Sequence, residues 1–202
     1  MYWFNLDDGT SEPVHDSDIS EWPASFSPDG KTLAYMRTSG ATNYEIWTLT
    51  EGEEAKPFID IAARCFCPRF HPSGDYIAYS SDESDVWEVY IRPFGRTGRR
   101  IQVSVGGGVD PRWSPSGDEL YYRNGYTVFA VSISIDGRLR VGQPEALFDF
   151  PFGPRVSQYA PNFDVHPDGN KFIITENTAD VRNIREFVVV KNWIEELKKL
   201  VP

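Results

Sequence analysis

The chain has 202 residues, with 20 basic and 30 acidic side chains giving a net charge of −10, and 40% of it is apolar. That length supports a core burying roughly 70% of the unfolded surface without metal or disulfide help, and apolar runs no longer than four residues fall far short of the ~20 needed to cross a bilayer. The acidic balance excludes nucleic acid as the main partner, because phosphate binding rests on Lys and Arg displacing counterions.

In chain order, the first residues, MYWFNLDDGTSEP, show no basic region, sustained apolar stretch or small-residue cleavage site, so no signal peptide is expected. Tyr2 to Leu6 aligns with Glu45 to Leu49 and predicts the third strand of an incomplete blade over residues 1–15, its fourth strand near Pro13-Val14. From there the chain repeats itself. Pro23 to Tyr35 (PASFSPDGKTLAY) returns as Pro68 to Tyr79 (PRFHPSGDYIAY), Pro111 to Tyr122 (PRWSPSGDELYY) and Pro161 to Ile174 (PNFDVHPDGNKFII). The turn glycines Gly30, Gly74, Gly117 and Gly169 are spaced by 44, 43 and 52 residues, and the last step carries an insertion over much of Phe150 to Gln158.

Each copy reads as an aromatic-centred strand, a turn in which Pro presets φ and Gly takes the positive-φ position, and then an alternating strand. Third strands follow in YEIWTLT, VWEVYIRP, TVFAVSIS and REFVVVK, and short fourth strands in AKPFI, RRIQVSV and PEALF. Four short strands per repeat is the signature of a β-propeller blade. A β-sandwich spaces its strands similarly but does not require the same turn string at every fourth turn. The predicted fold is therefore all-β, a β-propeller of four-stranded blades over residues 21–60, 65–104, 109–148 and 159–191. A helix over 192–202 follows, N-capped by Asn192, with Trp193, Leu197, Leu200 and Val201 on the face packed against the propeller. The strands sum to 17 where a four-blade ring needs 16. Either the N-terminal fourth strand clasps the last blade and leaves one strand surplus, or the chain is the C-terminal arc of a larger ring. The arc is the preferred reading, and its open edges invite a second copy or a partner.

These strings resemble the TolB-type, WD-repeat-like β-propeller family. More narrowly, GGGVDPRWSPSGDELYYR, AVSISIDGRLRVGQPEALF and VVVKNWIEELKKL resemble the C-terminal propeller regions attached to bacterial serine/threonine protein kinases. The resemblance implies a kinase-linked parent. It implies no phosphoryl transfer here, since a Gly-rich phosphate loop, a His-Arg-Asp loop and an Asp-Phe-Gly triplet are all lacking in this sequence.

Chemistry-bearing patterns are sparse. Gly106-Gly107-Gly108 leads into a strand rather than a helix, which makes it an interblade loop and not a phosphate cradle. Cys65 and Cys67 stand two apart on an inner strand, so both are expected on one face, as small buried thiols too few for a tetrahedral metal site. His71 and His166 occupy the slot that Ser27 and Ser114 fill elsewhere and read as turn residues. Asp29 and Asp168 read as turn caps, and Asp110 and Asp164 come near inner strands. With no G-x-S-x-G, H-E-x-x-H or C-x-x-C, neither catalysis nor a metal or cofactor is expected. The expected role is a rigid scaffold or sensor module whose interblade loops bind a protein or peptide. The candidate loops are Asp60 to Arg64, Gly106 to Arg112, Phe152 to Tyr159 and Asn177 to Asn183, with Arg64, Asp110, Arg112, Arg155 and Tyr159 as the named contacts. Self-assembly through open blade edges, and the lid of a hydrolase, are the alternatives.

Overall fold

The repeated turn organises everything around it. In the computed structural model, which describes residues 1–40, 43–152, 162–176 and, as strand backbone, 188–191, each turn closes with the same two backbone bonds. Ser27 N–H donates to Thr32 O and Gly30 N–H to Ser27 O. The pairs His71/Tyr76 and Gly74/His71 repeat this, as do Ser114/Glu119 and Gly117/Ser114, and His166/Lys171 and Gly169/His166, all at 2.8–3.0 Å. The four glycines have φ of 73°, 81°, 79° and 73°, a region open to glycine and strained for other residues. Asp29 accepts from Ser27 Oγ at 2.6 Å and from Lys31 N at 3.1 Å, and Asp168 accepts from Asn170 N at 2.9 Å. These local bonds hold both carboxyls below the usual carboxylate range.

Around those turns the described residues form antiparallel sheets and no helix. A two-stranded ribbon, β1 (Tyr2–Phe4) with β2 (Ser11–Pro13), precedes the first full blade of β3 (Glu21–Phe26), β4 (Thr32–Ser39), β5 (Asn43–Thr50) and β6 (Lys56–Pro57). The second blade comprises β7 (Cys65–Phe70), β8 (Tyr76–Ser81), β9 (Glu88–Pro93) and β10 (Ile101–Gln102). The third runs β11 (Val109–Trp113), β12 (Glu119–Asn124) and β13 (Thr127–Ile135), and the last holds β16 (Phe163–Val165), β17 (Lys171–Ile174) and β18 (Val188–Lys191).

The third blade departs from the expected strand count. Its β13 is nine residues long, and its two halves pair with different strands, β14 (Leu139–Val141) and β15 (Glu145–Asp149). The extra strand brings the total among the described residues to 18, where 17 were expected. It arises because the Asp136-Gly137 turn, with Gly137 at φ 65°, sends the chain back along the end of β13 as β14 before PEALF begins. The C-terminal helix predicted over 192–202 lies outside the described residues.

The core lies between blades. Tyr76, Ala78, Val89 and Ile91 of the second blade meet Trp113, Leu120, Tyr122 and Val131 of the third. Tyr121, Val128 and Ala130 of the third meet Phe163, Phe172 and Ile174 of the last. Ile46 of the first blade packs with Cys65, Tyr79 and Tyr90 of the second. Period-2 alternation produces this, since each strand sends side chains to both neighbouring blades. His71 ties two blades at the turn level, with its Nε2 3.0 Å from Gly117 O. The Ser73 backbone N–H donates to His71 Nδ1 at 2.9 Å, so Nδ1 is the acceptor and Nε2 carries the proton.

Candidate binding site on the inner strands

Inner strands β3, β7 and β11 share a defect in their pairing, a register shift between Pro23 and Ser25, between Phe66 and Arg69, and between Val109 and Arg112. Such bulges bend a strand and re-aim its side chains. At the latter two, the residue before proline takes a positive φ, 54° at Cys67 and 59° at Asp110. This overturns the expectation that Cys65 and Cys67 share a face. Cys65 packs with Ile46 and Tyr79, whereas Cys67 packs with Met36 and Phe66 and points its thiol at Asp110 Oδ1, 3.5 Å away. Both cysteines are buried and unbridged, and burial pushes the Cys65 thiol up to about 12.

The residue after the bulge proline is arginine in two blades. Arg69 donates through Nη1 to Ala24 O on the first blade's inner strand. Arg112 reaches the last blade, with Nε 3.2 Å from Asp164 Oδ1 and its guanidinium 5.8 Å from the Phe163 ring. Burial, and then the nearby Arg112, pull the Arg69 guanidinium down to about 10, while Asp164 and Asp110 act in the opposite sense. A third guanidinium, Arg123 on β12, donates through Nη2 to Asp110 Oδ2 at 3.4 Å and lies 5.1 Å from the Phe152 ring. Three arginines and two aspartates from three blades thus share one neighbourhood, with a net positive charge in a chain of net charge −10. Low-dielectric walls focus such a field.

The glycine loop buttresses this cluster from behind. Glu88, buried on β9, accepts from Ser104 Oγ and from Gly107 N, the latter at 3.0 Å. Asn124 Nδ2 donates to Gly106 O at 3.1 Å. The loop therefore supplies a fixed entry into β11, as its place between blades suggested.

Of the contacts expected from sequence, Asp110 and Arg112 come together in the cluster. Arg64 engages other partners, Asp82 at 2.6 Å and the Trp87 ring at 5.1 Å. Arg155, Tyr159 and the loop Asn177 to Asn183 lie outside the described residues. Arg69 and Arg123 were not singled out from sequence. Arg69 was findable, because Pro68-Arg69 and Pro111-Arg112 fill the same repeat slot. Among the described residues, no three His, Cys, Asp or Glu side chains stand close enough to share a metal ion, and no helix is long and apolar enough to cross a membrane.

No protein-family model matches this chain. Over 136 residues it is 26% identical to an uncharacterized protein of Agrobacterium fabrum, Atu1656, covering 60% of this chain and 46% of that one. Among solved structures, TolB from Acinetobacter baumannii superposes with a TM-score of 0.66 at 19% identity, over 93% of this chain and 44% of its own. Oligogalacturonate lyase from Vibrio parahaemolyticus superposes with a TM-score of 0.65 at 10% identity, over 95% of this chain and 57% of its own. The fold is that of the TolB-like β-propellers, and the chain spans about half the length of the proteins it matches.

Proposed function

We propose that this chain is a non-catalytic binding module that receives a protein or peptide partner on the face carrying the inner-strand cluster, as the C-terminal part of a larger propeller protein. The observation carrying this reading is the convergence of Arg69, Arg112, Arg123, Asp110 and Asp164 from three blades. A rigid frame that brings side chains from separate strands to one place is how specific recognition is mounted. The chemistry of the groups supports binding over turnover: Asp110 is spent on Arg123 and Cys67, and the Cys65 thiol is suppressed rather than activated. The shares of TolB and the lyase that the chain covers, 44% and 57%, support the partial-propeller element. The strings that resemble kinase-attached propellers make such a parent the first to seek.

The test is site-specific photo-crosslinking from position 105, next to the glycine loop, in the cells that make the protein. A partner captured by the wild type and lost in the Arg69→Gln/Arg112→Gln double variant supports the reading. A capture pattern identical in both removes this face from consideration.

The β1–β2 ribbon favours a second reading, self-assembly. It pairs with no third strand among the described residues and exposes Tyr2, Phe4 and Leu6, the kind of edge that templates further pairing. Light scattering over a hundredfold dilution decides it. A mass that falls on dilution supports edge pairing, and a constant 23.0 kDa rejects it.

A further inference from the structure

We propose that Arg112 offers the Nε/Nη2 edge of its guanidinium as a receptor for a peptide carboxylate, and that Asp164 is the internal carboxylate such a ligand displaces. This deepens the binding-module reading and rests on it.

The argument starts from how Arg112 is satisfied. Its side chain is 3% exposed, and its Nη1 donates to Pro111 O at 2.6 Å. Nε and Nη2 are buried with no hydrogen-bond partner. Buried donors left unpaired are costly and uncommon, and these two lie side by side on the edge that grips a carboxylate through two parallel N–H···O bonds. Asp164 Oδ1 stands 3.2 Å from Nε yet makes no hydrogen bond to it, because Oδ1 is drawn to the Val165 backbone N–H at 2.9 Å. So the edge faces a carboxylate of the right charge, held off its line by its own backbone.

Access and selectivity follow from the same residues. The Asp164 side chain is 62% exposed, so the carboxylate that faces the buried edge is itself in contact with solvent, and a ligand carboxylate competes with it there. Arg69 adds positive charge behind Arg112, and its own Nε is likewise buried without a partner. Asp110 and Asp164 keep the neighbourhood from accumulating enough positive charge to favour a dianion. A singly charged carboxylate fits this balance better than phosphate.

The experiment follows the arginine Nε–H signals of the ¹⁵N-labelled protein, with that of Arg112 assigned through Arg112→Lys. The probes are a blocked tri-alanine peptide with a free C-terminal carboxylate, the same peptide as its amide, a blocked Ala-Glu-Ala amide, and inorganic phosphate. The free-acid peptide is expected to shift the Arg112 signal and the amide to leave it in place, and the Glu peptide distinguishes a side-chain from a terminal carboxylate. Asp164→Asn alters an exposed side chain and removes the competitor, so it should lower the half-saturation concentration roughly fivefold. The proposal is overturned if the amide shifts the signal as the acid does, if no peptide shifts it, if phosphate outcompetes the peptides, or if Asp164→Asn leaves the midpoint unchanged. The crosslinking from position 105 decides the wider reading separately, since a partner captured there while no carboxylate probe binds leaves the module standing and this subsite refuted.

Discussion

His71 Nε2 donates its proton to the carbonyl of Gly117, 3.0 Å away, and so fastens the turn of one blade to the equivalent turn of the next. His71→Ser restores the residue that this slot holds in two other repeats but cannot span that gap. The variant should lose about 1 kcal/mol, read as a lower urea midpoint. Burial holds His71 below its ordinary 6.5, so near pH 6 the unfolded chain binds more protons than the folded one. The contribution of His71 is therefore whole above about pH 6.5 and is lost as pH falls toward its folded value. The difference between wild type and His71→Ser should shrink over that range.

Gly117 and Gly30 occupy the same turn position but not the same surroundings. A Cβ at Gly30 meets nothing within 4 Å, whereas one at Gly117 runs into the His71 ring. Gly30→Ala should cost about 1 kcal/mol, the penalty for a positive φ alone. Gly117→Ala should cost clearly more, because it also breaks the interblade bond. Equal melting shifts for the two would show that the blades do not rely on this contact.

Asp110 combines a buried charge with a positive φ, and three variants separate the two. Asp110→Ala removes the carboxylate that accepts from Arg123 and places a Cβ-bearing residue at φ 59°, which should cost about 3 kcal/mol. Asp110→Asn tolerates the backbone and loses only the charge. Asp110→Gly relieves the backbone and loses the whole side chain. Stability in the order wild type, Asn, Gly, Ala shows that the side chain outweighs the strain that glycine relieves, and a Gly variant as stable as wild type shows that the two are equal.

The blades were legible because Pro and Gly punctuate them at fixed offsets, and a repeated turn string is a local signal. What escaped was non-local or irregular. The bulge at Cys67 breaks the i, i+2 rule, and no residue in Cys-Phe-Cys announces it. The pairing of β14 with the end of β13 was missed because TVFAVSIS and PEALF already filled the third and fourth strands of the repeat, which left the segment between them unassigned. Two of the five cluster residues, Asp110 and Arg112, were visible as expected contacts. Arg123 was not, because its role depends on β12 bringing it to Asp110, which only the register of Arg123 opposite Val128 and Val109 provides.

Cys65 should be inert in the folded protein. With its thiol pushed up to about 12 against ~8.5 for a free thiol, the thiolate population at pH 8 falls by roughly 10³-fold. Ellman's reagent should react with the native protein at a small fraction of the rate seen in guanidinium. A fast native phase that survives in Cys67→Ala would mean that Cys65 is reachable and the blade interface opens.

Glu88 is the support on which the glycine loop rests. Its carboxylate accepts from the Gly107 backbone and from Ser104, whose hydroxyl also receives the Val89 N–H at 2.7 Å. Glu88→Gln keeps one acceptor oxygen and the side-chain volume, but its NH₂ group meets donors where the carboxylate met them. Glu88→Ala strands two donors in the interior at about 2 kcal/mol or more, and it frees Gly106 to Gly108, where the chain turns into β11. Hydrogen exchange at Gly107 and Gly108 should accelerate in both variants, and more in Ala. Because Asp110 and Arg112 follow directly on that loop, the same substitution should weaken partner capture from position 105 without touching any residue of the cluster. Faster exchange with capture unchanged would show that the loop's order is a matter of stability alone.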